Sequence, residues 1–118
     1  MNEETILKIM SILWEKAIRL LPHVPNDPVL RMQDLAEKFT ALKKEGVPSP
    51  RDFSDLIISA WWLAAVDPEE SVRCMKIVED LICSLLEQGL NVYQALDNRL
   101  TELTELQRTR GSIFSQNN

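Results

Sequence analysis

The uncharged run from Leu56 to Val66, Leu-Ile-Ile-Ser-Ala-Trp-Trp-Leu-Ala-Ala-Val, constrains this chain more than any other segment. It falls well short of the roughly 20 apolar residues that a helix needs to cross a bilayer. It is nevertheless apolar on nearly every side, and a helix of that kind must be buried over most of its surface. Two helix-start signals bracket it, Ser49-Pro50 before and Asp67-Pro68 after. No segment alternates with period two, and each Pro or Gly falls where a helix can begin or end. The expected fold is therefore all-α: a compact bundle of about five helices with the third helix (about 50–66) central. The length suits one domain, read as a single helical domain over residues 1–110 with a loose C-terminal tail at 111–118.

The first helix is expected from about Asn2 to Leu21, with Lys8, Ser11, Glu15 and Arg19 as its solvated stripe. Ile6, Ile9, Met10, Leu13, Trp14, Ala17, Leu20 and Leu21 fill an apolar arc wide enough to meet two neighbours. Residues 22–27 read as a linker, and Asp27-Pro28 starts a second helix with Met32, Leu35, Ala36, Phe39 and Leu42 on its apolar side. That helix is expected to stop at Gly46, after Lys43-Lys44. Ser49 and Asp52 have the spacing of a capping box for the third helix. Asp67-Pro68-Glu69-Glu70 opens the fourth, which runs to Gly89 with Cys74, Met75, Ile77, Val78, Leu81, Ile82, Leu85 and Leu86 inward. The fifth begins at Asn91, where Tyr93, Leu96, Leu100 and Leu103 follow the steps of a heptad seam. Under two heptads do not make a coiled coil, so this stripe is expected to pack on its own bundle.

Charge narrows the function. The formal net charge of −5, with most of the acidic excess in the C-terminal half, opposes a surface built to neutralise phosphates. A cationic partner would meet that half. Two cysteines are too few for a disulfide scaffold and fit a reduced cytoplasmic protein. At about 100° per residue Cys74 and Cys83 fall on opposite sides of one helix and cannot bond to each other. Glu3, Glu4, Lys8 and Glu15 disrupt anything resembling a secretory leader.

Convergent catalytic groups are scarce. The single histidine, His23, sits between two prolines, so neither a Ser-His-Asp triad nor a multi-histidine metal site can form. Cys74 reads as a core residue, and Cys83 lies nearer the polar side among Lys76, Glu79 and Glu87. Glu69, Glu70, Glu79 and Asp80 are the carboxylates an all-helical metal enzyme would use. Helix-start compensation and solvated pairs explain them more simply. Met32 to Phe39 resembles the first helix of a helix-turn-helix superficially, but its helix runs on past the point where a turn of three or four residues should come. The following helix would offer Asp52 and Asp55 to base edges.

The third helix has a second apolar side, formed by Ile58, Trp62, Ala65 and Val66, opposite Phe53, Leu56, Ile57, Ala60, Trp61 and Ala64. Either the other helices cover both sides, or Ile58, Trp62, Ala65 and Val66 form a protein interface. The expected function is a protein–protein interaction module or small adaptor without catalysis, most simply a homodimer. The alternatives are the metal-dependent enzyme and a DNA-binding regulator. No cofactor, catalytic residue, metal ligand, membrane contact or small-molecule substrate is expected, and the partner is another protein or a second copy of the chain.

Overall fold

In the computed structural model the described residues are 3–23, 37, 38, 40–42, 44 and 49–110. Among them the fold is all-α, with no strand. Helix α1 spans Glu3–Leu20 and tightens into a 3-10 turn at Leu21–His23. The helical residues 37, 38, 40–42 and 44 belong to α2. Helices α3 (Pro50–Val66), α4 (Ser71–Glu87) and α5 (Val92–Arg110) complete the order. Pro22 and His23 of the expected linker are part of that 3-10 turn, while its remainder, the Asp27-Pro28 start, most of the α2 apolar side, the Gly46 stop and the tail lie outside the described residues. Among the described residues no helix is long and apolar enough to cross a membrane.

Local chemistry sets most boundaries. The Ser49 hydroxyl accepts the Asp52 N–H at 3.1 Å, and Pro50 occupies the first helical position, where a missing N–H costs nothing. Asn91 caps α5 in the same way, its Oδ1 accepting the Gln94 N–H at 3.0 Å. Asp67 acts differently from expectation. Its N–H closes the end of α3 on the Leu63 carbonyl, and its carboxylate accepts the Glu69 N–H at 3.1 Å. That bond builds a turn rather than a helix start, and α4 begins only at Ser71. The chain must reverse here, so Pro68, Glu69 and Glu70 are used in the reversal.

Gly89 ends α4 at φ +82°, in the left-handed region. Leu90 N–H reaches the Leu85 carbonyl at 3.1 Å and Gly89 N–H the Leu86 carbonyl at 3.0 Å, the paired bonds of a Schellman turn. A Cβ on Gly89 would meet nothing within 4 Å, so substitution there strains only the backbone. Gly89→Ala should therefore cost about 1–2 kcal/mol, read as a shift of the denaturant midpoint. Gly89→Asn should lose less, because Asn tolerates this conformation better; equal losses would place the cost elsewhere.

The core gathers around α3, which packs against α1, α4 and α5. Phe53, Ile57, Ile58, Ala60 and Trp61 are almost wholly buried, together with Leu13 and Ala17 of α1, Val78, Ile82 and Leu85 of α4, and Val92, Leu96, Leu100 and Leu103 of α5. Leu42 of α2 packs partly against the same core. Two phases differ from expectation. Trp14 is 38% exposed at the flank of the α1 arc, and on α5 Val92 rather than Tyr93 points inward.

Trp62 fastens α1 to α3. Its Nε1 donates to the Ala17 carbonyl at 2.8 Å. Ala17 lies in the last turn of α1, so this bond ties the end of that helix to α3. The two residues stand 45 positions apart in sequence. Trp61 is equally buried, but its Nε1 has no hydrogen-bond partner among the described residues.

Candidate functional site

The clearest surface feature is the seam between α1 and α5. Lys16 and Asp97 form an ion pair across it. The hydrogen bond from Lys16 to the Asp97 carboxylate raises the lysine above its ordinary pKa despite the opposing cost of desolvation. One turn before Lys16 on α1 stands Ile12, and one turn before Asp97 on α5 stands Tyr93. These side chains are 48% and 40% exposed. On the other side of the pair the helices leave an open cleft of about 500 Å³. Leu20 and Leu100 form its apolar floor, and Lys16, Arg19 and Arg108 place three cations around it against the one carboxylate of Glu105. Arg108 pairs with Glu105 at 3.2 Å, whereas Arg19 has no ion pair among the described residues. Thr101 and Thr104 donate their hydroxyl protons to the Asp97 and Leu100 carbonyls at 2.9 and 2.8 Å. Toward the cleft they offer oxygen lone pairs.

A smaller groove of about 310 Å³ lies between α2 and α3, lined by Lys38, Leu42, Asp52, Asp55 and Ser59 among others. Behind it the guanidinium of Arg99, with only 6% of its side chain exposed, meets Asp55 at 2.6 and 3.4 Å and Glu102 at 3.3 Å. Burial pulls the Arg99 pKa down, but hydrogen bonds and charge from Asp55, then Glu102, outweigh it and hold it above the usual arginine value. Asp55 is thereby committed to an internal cation, which suits it to structure rather than to proton transfer.

The proposed interface divides. Ile58 is fully buried and Trp62 only 5% exposed within the single chain, so of the two alternatives for this side of α3 these two residues follow the first, coverage by the chain's own helices. The reason is α1, whose last turn lies over that side of α3 and binds the Trp62 indole. Ala65 and Val66 do remain exposed at the end of α3, with exposed Val72 just beyond the turn. Of the carboxylates weighed for metal, Glu70 pairs with Arg73 at 3.4 Å. Glu69, Glu79 and Asp80 are exposed, and no group of three His, Cys, Asp or Glu able to hold a metal occurs among the described residues. Of the helix-turn-helix resemblance only residues 37 and 38 are described.

Cys74 is buried and Cys83 exposed, and neither forms a disulfide. Burial, reinforced by Glu70 and Asp67, pushes the Cys74 thiol above its ordinary pKa. A brief native-state alkylation should therefore mark Cys83 well before Cys74, with mass spectrometry locating the label. Preferential labelling of Cys74 would mean that α4 is rotated from the position described.

Sequence spacing missed the seam. Tyr93 was assigned to the core, and Lys16, Arg108 and Arg99 attracted no attention. Arg99 did carry a readable signal: it falls three residues after Leu96 and four before Leu103, so an uncompensated cation stands in an apolar stripe.

No family model matches this sequence, and no solved structure matches it. The chain is similar to venom allergen 4 of Solenopsis geminata, with 24% identity over 96 residues, which is 80% of this chain and 70% of that protein. A likeness of that degree assigns neither a family nor a site residue.

Proposed function

We propose that this protein is a binding module without chemistry of its own, and that the α1–α5 seam is the surface it offers to another protein. One observation carries the reading: half-exposed Ile12 and Tyr93 adjoin an open cleft with an apolar floor and a charged rim. Apolar anchors beside a polar rim are the usual anatomy of a protein-binding patch. A homodimer through Ile58 and Trp62 loses its support because both lie inside the fold. A cytoplasmic setting for the module rests on its two cysteines alone.

The test is selection of helical peptides from a random displayed library on the purified chain. Selected peptides should lose affinity for Tyr93→Ala and keep it for Val72→Ser, an even more exposed apolar control on α4. Failure to select any peptide, or equal losses in the two variants, would remove the seam as the binding surface.

A further inference from the structure

Resting on that reading, we infer that the occupant of the α1–α5 cleft is an acidic segment of a partner protein, with its carboxylates on the rim cations and its apolar side on Leu20 and Leu100. Three cations, Lys16, Arg19 and Arg108, gather at one cleft of a chain whose net charge is −5. Asp97 and Glu105 satisfy two of them internally, and Arg19 has no ion pair among the described residues. The α1 dipole favours a cation in the last turn, but it does not account for Arg19 sharing one cleft with two cations from different helices.

The ligand class follows from two complementary demands. The cations require carboxylate or phosphate. Thr101 and Thr104, whose protons are already donated to their own helix, can accept hydrogen bonds from donors on the ligand. A peptide brings both, through backbone or side-chain N–H groups and acidic side chains. A nucleic acid backbone brings phosphate without N–H donors, and the acidic remainder of this chain repels a long polyanion. The ordered Lys16–Asp97 pair stands at the end of the cleft beside Tyr93 and Ile12. A helix laid along the seam would thus reach the apolar pair and the cationic cleft together, the helix-in-groove mode.

The decisive experiment uses three synthetic amphipathic peptides with a common apolar side and Glu, Gln or Lys on the polar side. Fluorescence anisotropy with the full chain reads their affinities. The Glu peptide should bind best and weaken as salt rises. The double variant Arg19→Glu/Arg108→Glu should bind it about tenfold less tightly and should gain affinity for the Lys peptide. Both arginines are exposed, so circular dichroism should remain that of the parent. Equal binding of the Glu and Gln peptides, abolished by Tyr93→Ala, would overturn the acidic occupant while leaving the docking seam standing. Binding of none of the three would overturn both. Competition by a single-stranded oligonucleotide at the same arginines would replace the peptide with nucleic acid, and concentration-dependent dimerisation lost in the double variant would replace it with a second copy.

Discussion

Trp62→Glu is expected to abolish the fold, not to loosen an assembly. The residue is 5% exposed within the single chain and its indole N–H is bonded to the Ala17 carbonyl. A carboxylate in its place would be buried, and a buried charge costs several kcal/mol unless it is paired. A small domain has about 5–15 kcal/mol in total. Helical circular dichroism at several protein concentrations should show an unfolded or aggregated chain throughout. Trp62→Phe separates the parts of the effect: it keeps most of the apolar area and removes only the donor. Loss of this buried hydrogen bond should cost about 0.5–1.5 kcal/mol. A Trp62→Glu chain that stayed folded and monomeric would place this side chain on an open surface.

Asp55→Ala should be the next most damaging change, at about 3 kcal/mol, the lower part of the range for breaking a buried pair. Arg99 would keep its charge with 6% of its side chain exposed and would lose both bonds to Asp55, while its partner Glu102 is itself 61% exposed. Arg99→Met should cost less, because Asp55 is 33% exposed and can be rehydrated. The double variant Asp55→Ala/Arg99→Met should recover most of the Asp55→Ala loss. Urea unfolding of the four proteins closes the cycle. Additive losses would mean that the pair contributes no coupling.

Ser49, Gly89 and Asn91 could be located from sequence because a cap or a left-handed turn is decided by a handful of neighbouring atoms. The inward side of α4 was likewise legible, since a strongly amphipathic helix has one way to face a core. Ile58 and Trp62 were not, because a helix apolar on two sides is compatible with a second copy as well as with α1. Only the path of residues far away in sequence decides between them. Tyr93 and Val92 differ by one helical step, and a short stripe of leucines tolerates either phase. The seam escaped notice for a related reason. Lys16 and Asp97 are 81 residues apart, and neither is unusual within its own helix.

The Trp62–Ala17 and Lys16–Asp97 links also set a timetable for synthesis. The ribosome releases α1 first, yet its fastening residues are made 45 and 81 positions later. At about 5–20 residues per second the wait for Asp97 is roughly 4–16 s. For the first part of that interval the side of α1 carrying Leu13, Ala17 and Leu20 has neither α3 nor α5 to cover it, and α5 is still lacking after α3 has been made. A nascent chain of this design would present chaperones with α1, and acquire its closed form only once α5 has been made.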